Sequence, residues 1–274
     1  MLKKRLITGF LILPPIIFLV WYNAITTALL GAIWGLMSAY EFYHNINRDR
    51  ITPLTPFGLA ITVLFIIHPI LNINLLTPLL LTAAVVLPLV WLLFARDKEN
   101  AFARWSWTIA GAIYIGWLLS YLIALRSGYN LPSLSETSAR NWGFYALTTT
   151  VMSDSFAYFT GRTFGKHHLA PKISPGKTWE GTLSGIVGAV LASLFFTLPT
   201  PLALNAGYVP MILLGIAVSI AGQTGDLVKS LFKRNMGIKD SSNLLPGHGG
   251  FLDRLDSHLF AGVVIYYYVM LFVR

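Results

Sequence analysis

Apolar stretches dominate this chain, and each runs for most of a membrane thickness before a polar break interrupts it. A helix needs about 20 largely apolar residues to cross a bilayer. Nine segments approach that length: Leu6–Tyr22, Ala24–Tyr40, Pro53–His68, Leu75–Ala95, Trp107–Leu125, Gly143–Thr160, Gly181–Leu198, Tyr208–Gln223 and His258–Val273. The third is the least regular, because its edges are rich in proline. The pattern predicts an all-α, polytopic integral membrane protein of about nine transmembrane helices. About five of them fall in residues 1–142, and a second region spans residues 143–274 with long polar loops at 161–180 and 227–257.

The opening, "MLKKRLITGFLILPPIIFLVWYNA", has the basic start and apolar run of a secretory leader. It passes almost at once into a second apolar segment without a small-residue cleavage site, so a first transmembrane helix is expected instead. Charge placement then orients the chain. With the N-terminus inside and the segments alternating, all of the 20 Lys and Arg residues except Arg126, Arg140 and Arg274 fall on the inner side. That bias is the one the positive-inside rule predicts for a cytoplasmic N-terminus. Removing one helix from the middle would place basic loops on both sides.

Composition agrees. Only 11% of the 274 residues are charged and 55% are hydrophobic, whereas a soluble domain carries about 25% charged residues. The chain has no cysteine, which removes disulfides and thiolate metal sites. The net charge of +9 suits loops beside anionic lipid or an anionic substrate. On a membrane protein it does not by itself indicate nucleic acid.

Against this background the polar residues cluster. Asp226, Lys229, Ser230 and Lys233 stand at i, i+3, i+4 and i+7, one helix face if the eighth helix continues. Lysines at a helix end can simply extend their stems to the interface. Asp226 has no such stem, and beside Gly222 and Gly225 it is better explained by a protein interior or a wet cavity. Next comes "PGHGGFLDRLD". Its glycines let backbone N–H groups approach an anion, and Asp253 and Asp256 are spaced to converge on one hard cation. A Gly-rich turn before a salt-bridged helix start is the plainer alternative. Both charge signs gathered around glycines point to a metal–phosphate site.

The other inner loop follows Asp154 and Tyr158, which stand at i and i+4, and carries Arg162, Lys166, Lys172 and Lys177. Its Gly176-Lys177-Thr178 is not a P-loop: that motif needs a glycine five positions earlier, where Pro171 stands, and no strand is expected to precede it. His167 and His168 read as a solvated pair in a basic loop, and Trp179 as an interfacial anchor. The outer loop from Arg126 to Asn141 reads as a plain connector, and the first five helices carry no comparable polar signal.

The order Ser230, Lys233-Arg234, Lys239-Asp240, Pro246-Gly247-His248-Gly249-Gly250, Asp253-Arg254-Leu255-Asp256 resembles the signature of the phosphatidate cytidylyltransferases, or CDP-diacylglycerol synthases. "DSFAYFTGRTFGK" and "ISPGKTWEG" are similar to that family's second block, so the resemblance covers the chain from Asp154 onward. It implies an enzyme of the bacterial inner membrane that joins CTP to phosphatidic acid at the cytoplasmic face. Mg²⁺ would be required, alone or with a second cation. The catalytic set implied is Asp226, Lys233, Arg234, Lys239, Asp240, His248, Asp253, Arg254 and Asp256. Of these, Asp226, Asp253 and Asp256 would hold metal, the lysines and arginines would bind phosphate, and His248 would donate to pyrophosphate or orient its loop. Asp154, Tyr158, Arg162, Lys166, Ser174, Lys177, Thr178, Glu180, Gly249 and Gly250 would line the substrates. A CTP-dependent lipid kinase and an ion-coupled transporter are the alternatives. The full signature disfavours the first, and the lack of an internal repeat disfavours the second. A homodimer is the default assembly.

Overall fold

The computed structural model describes residues 13–46, 51–96, 98–242, 244 and 249–273. Among them the chain forms nine α-helices: α1 Leu13–Tyr22, α2 Ala24–Ile46, α3 Thr55–Leu71, α4 Leu76–Phe94, α5 Ala101–Ser127, α6 Glu136–Phe164, α7 Trp179–Phe195, α8 Tyr208–Asn235 and α9 Asp256–Phe272. α5 contains a π-helical stretch at Ala112–Trp117. Four helices, α2, α4, α5 and α8, are long and apolar enough to cross a membrane; α1, α3, α7 and α9 are shorter and apolar.

Several helices outrun the apolar segments that announce them. α2 continues from Tyr40 to Ile46, α6 begins at Glu136 and ends at Phe164, and α8 continues from Gln223 to Asn235. Hydropathy stops where polar side chains begin, but backbone hydrogen bonding does not. These polar extensions carry Glu41, Asp226 and Lys229. The stretch 126–141 also differs from a plain connector: Arg126 is buried, Ser135 caps α6 by accepting from the Ser138 N–H, and Glu136–Asn141 is helical.

The polar stretch before α7 is not all loop. β1 His168–Ala170 pairs antiparallel with β2 Ser174–Thr178, so His168 faces Thr178 and Ala170 faces Ser174, with an irregularity between. Gly176-Lys177-Thr178 therefore lies in a strand, where none was expected. Thr178 then caps α7 by accepting from the Gly181 N–H at 3.2 Å.

The chain divides into two compact units. The first comprises residues 1–124 and 236–255. Its apolar centre packs Ile61, Phe65, Leu80, Ala84 and Ala112 together, with Leu76, Leu81 and Trp117 against them. The second comprises residues 125–235 and 256–274. The polar signature is thus shared: Met236–Leu255 goes with the first unit, and Asp256 begins the return to the second.

In the second unit α6 and α7 approach closely because α7 presents small residues, as membrane helix pairs do. A Cβ at Gly181 would lie 2.7 Å from the Ala157 carbonyl oxygen, and one at Gly188 would lie 2.7 Å from the Phe156 ring. At Gly176, in the hairpin, a Cβ would meet nothing within 4 Å. Gly181→Ala should therefore cost about 1–3 kcal/mol, since backbone must shift. Gly176→Ala should stay within about 0.5 kcal/mol of the parent. Thermal unfolding of both variants in detergent checks the contrast.

Candidate active site

The second unit brings together charges that are distant in sequence. Asp226 and Lys229 lie one turn apart on α8. Gly225, beside them, lets α9 come close: a Cβ there would lie 2.5 Å from the Asp256 carbonyl oxygen. The close approach delivers the Asp256 side chain to Lys229. Lys229 Nζ lies 3.0 Å from Asp226 Oδ1 and is also ion-paired with Asp256 Oδ2. Lys229 is 6% exposed and Asp256 5% exposed, so neither has bulk water to screen it. From the end of β2, Lys177 reaches the other oxygen of Asp226 at 2.8 Å and donates to the Gln223 carbonyl at 3.0 Å. Ser257, next to Asp256, donates to Asp154 Oδ1 at 3.4 Å.

Three carboxylates and two ammonium groups thus share one region. Buried charges survive only when paired and hydrogen-bonded, and Lys229 and Asp256, the two buried members, pair with each other. Lys229 is the member that sequence reasoning missed as a site residue. Its i+3 spacing from Asp226 was visible, but a lysine reaching out to the interface explained it equally well. Packing turns it inward instead.

Behind the cluster, polar contacts continue along the helices. The Gln223 side chain donates to Ser219 Oγ at 2.9 Å and to the Thr182 carbonyl at 3.1 Å, and Ser219 shares a hydrogen bond with Ser153 at 2.8 Å. The hairpin is anchored separately. Glu180 lies 2.6 Å from His167 Nδ1. Its own backbone N–H, and then His167, hold the Glu180 carboxyl at about 2. His167 is exposed, as expected of a solvated residue, and this contact ties it to the start of α7. Arg234 Nε donates to the Ile173 carbonyl at 3.1 Å, and Arg162 donates to the Tyr158 hydroxyl at 3.1 Å. Arg162 and Lys166 remain exposed at their surfaces, while Lys233 and Ser174 are half-buried.

The first unit holds the rest of the signature. Asp253 Oδ2 accepts from the Ser241 N–H at 3.0 Å, from Ser241 Oγ at 2.9 Å and from the Gly250 N–H at 3.1 Å. Gly249 has φ +78°, a left-handed conformation that suits glycine, and a Cβ there would crowd Asp253 Oδ2. Asp253 therefore organises its own loop. Lys239, Asp240 and Arg254 are exposed. His248 lies outside the described residues.

A carboxylate on α2 completes this unit's site, and nothing in the sequence drew attention to it. Glu41, 2% exposed, accepts from Ser241 and Ser242 hydroxyls and from the Phe251 and Leu252 N–H groups. The expectation that the first five helices lack polar chemistry is corrected here. Glu41 falls one residue beyond the apolar run that ends at Tyr40, where a lone acid reads as a solvated helix end.

The donors available to a metal are carboxylate oxygens, which suit a hard divalent cation. Among the described residues no group of three or more His, Asp or Glu side chains forms a ready ligand set, and the lysines already engage the Asp226 and Asp256 oxygens. A cation here would therefore have to be held by one or two of these carboxylates and completed by phosphate oxygens, as Mg²⁺ commonly is.

A largely apolar helical chain with four helices long and apolar enough to cross a bilayer has the build of an integral membrane protein. The Cytidylyltransferase family matches residues 3–272, and the chain belongs to it. Over 274 residues it is 32% identical to the phosphatidate cytidylyltransferase of Bacillus subtilis, covering 99% of this chain and 98% of that one. The phosphatidate cytidylyltransferase of Pseudomonas aeruginosa is 34% identical over 94% of this chain and 93% of its own. That of Brucella abortus is 32% identical over 100% of this chain and 95% of its own.

Lys229→Met would leave the buried Asp256 carboxylate without its cation, while the half-buried Asp226 would keep Lys177. A loss of about 3–5 kcal/mol is expected, read as a lower unfolding midpoint in detergent. Adding Asp256→Asn to that variant should recover part of the loss, because one uncompensated charge is then removed.

Proposed function

We propose that the chain transfers the cytidylyl group of CTP to phosphatidic acid, giving CDP-diacylglycerol and pyrophosphate. Near full-length similarity to enzymes of that name carries the reading, and the convergence of Asp226, Lys229, Asp256 and Lys177 is the feature of this chain that suits it. An oxygen of the phosphatidate phosphate attacks the α-phosphorus of CTP. The bond from that phosphorus to the α–β bridging oxygen breaks, and pyrophosphate leaves with the electron pair.

A phosphate monoester has a second pKa near about 6, so the nucleophile is already largely ionised at neutral pH and needs no strong base. The obstacle is bringing two polyanions together. Positioning and charge stabilisation provide most of the catalysis in such transfers. Lys177, Lys233, Arg234, Lys239 and Arg254 are the cations we assign to the phosphates, with Gly249 supplying a backbone N–H group; the Gly250 N–H is already given to Asp253. Mg²⁺, when bound, would neutralise phosphate oxygens and polarise the reacting phosphorus. Asp226 and Asp256, with Asp154, are the residues of the second unit we assign to holding it; in the first unit Asp253 is the acid we assign to handling charge. Lys177 and Lys229 then keep the Asp226 and Asp256 carboxylates apart and aimed.

The membrane arrangement follows the same reasoning. We infer nine crossings with the N-terminus inside, from the distribution of Lys and Arg. The inner side would then carry both polar loops and meet cytosolic CTP, while phosphatidate keeps its acyl chains in the bilayer. The inner membrane of a bacterium and a symmetric dimer complete the proposal.

Purified protein given phosphatidate and CTP with Mg²⁺ is expected to move label from the α-phosphate of CTP into lipid. Label entering lipid from the γ position alone would instead mark a lipid kinase, and no substrate-dependent pyrophosphate release would sink the proposal. Asp253→Asn can keep an oxygen where Ser241 and Gly250 donate, so its loop should stay folded. Loss of the charge should still lower turnover by about 100-fold or more. Near-parental turnover in that variant would remove Asp253 from the charge-handling set.

A further inference from the structure

The loop between α8 and α9 is closed at its neck by one side chain. Glu41 Oε1 accepts from the Phe251 N–H at 2.9 Å and from Ser242 Oγ; Glu41 Oε2 accepts from the Leu252 N–H at 3.0 Å and from Ser241 Oγ at 2.9 Å. Each oxygen therefore joins the two ends of the loop, one donor from the leading end and one from the trailing end. A carboxylate offers about four lone-pair sites and no proton, so four donors saturate it.

The rest of the same α2 face repeats the grip. Trp34, Glu41 and Asn45 stand at i, i+7 and i+11. Asn45 Nδ2 donates to the Ser241 carbonyl at 2.9 Å, and Trp34 Nε1 donates to the Phe251 carbonyl at 3.2 Å while its ring packs edge-on against Phe251 at 5.1 Å. Gly250 has no room for a side chain, since a Cβ would collide with Ser241 Oγ and the Glu41 carboxylate. Ser241 Oγ is also 2.9 Å from Asp253 Oδ2, which links the clamp to the acid that organises the loop interior.

We propose that Glu41 is a positioning residue of cytidylyl transfer: it clamps Ser241 and Ser242 to Phe251 and Leu252 so that Gly250 and Asp253 are presented in a fixed geometry. The inference rests on the reading that this loop handles the phosphates. Glu41 does not touch the reactants; it acts through the loop.

The symmetry of the clamp makes a sharp test. In Glu41→Gln the amide NH₂ must face a backbone N–H in either flip, because Phe251 and Leu252 donate to different oxygens. In Glu41→Asp the carboxylate is one methylene short of the loop. Both variants keep the packing of α2. We expect kcat per folded molecule to fall about 100-fold in each, the scale of a reacting group displaced by about 1 Å. The unfolding midpoint should fall as well, since buried donors lose an acceptor, so the deciding reading is kcat per folded molecule. Amide hydrogen exchange should accelerate at Phe251 and Leu252 while the α2 core stays protected. A purely structural role would lower the midpoint and leave the turnover of the surviving folded protein intact. That result, or kcat within about threefold of the parent in Glu41→Gln, overturns the inference alone. Parent protein that fails to transfer cytidylyl groups at all overturns the functional reading and this inference with it.

Discussion

The pairing of Lys229 with Asp226 and Asp256 is the constraint on which the second unit depends. The Lys229 ammonium and the Asp256 carboxylate, withdrawn from water, cost several kcal/mol each, and the cost is offset only by close, mutual contact, with the half-buried Asp226 as a second partner. That requirement explains features that otherwise look unrelated. α8 must continue as helix beyond its apolar run to place Lys229 one turn after Asp226. Gly225 must lack a side chain so that the start of α9 can come near. Lys177 must be delivered by a strand that ends in a helix cap, because its ammonium takes the remaining Asp226 oxygen.

The first unit solves a related problem with neutral donors. Glu41 is buried more deeply still, but serine hydroxyls and backbone N–H groups satisfy it rather than a lysine. The two solutions have different consequences. A carboxylate saturated by N–H and O–H groups fixes a shape, since changing it would orphan several buried donors. Carboxylates held by lysines keep a charge balance that an incoming cation or phosphate can enter, because ammonium groups are single points on flexible stems. We therefore assign the geometric role to Glu41, the electrostatic role to Asp226, Lys229, Asp256 and Lys177, and a share of both to Asp253.

Such a division suits cytidylyl transfer. The attacking phosphate is already a nucleophile, and the leaving pyrophosphate is a stable anion. A protein adds most by holding two repelling anions in line and by supplying compensating charge. Few charged residues suffice when they lie in surroundings too apolar to screen them. A chain with only 11% charged residues can therefore carry this chemistry, provided that its charges converge.

The sequence alone determined the membrane character, the helical class and the polar signature, because each is a local property. Twenty apolar residues select a helix in lipid whatever surrounds them, and Asp226, Asp253 and Asp256 stood out because acids are rare in such a chain. Helix ends were less legible, since hydropathy falls off before hydrogen bonding does; that is why α2 was read as ending at Tyr40 and Glu41 passed unnoticed. The hairpin before α7 was missed because β1 and β2 are three and five residues long, too short for a period-2 pattern to register. Only the tertiary structure decided which charges meet. Whether Lys229 turns outward or toward Asp256, and whether Glu41 is solvated or grips residues some 200 positions away, depends on how distant helices pack, and no pattern within one segment encodes its partner.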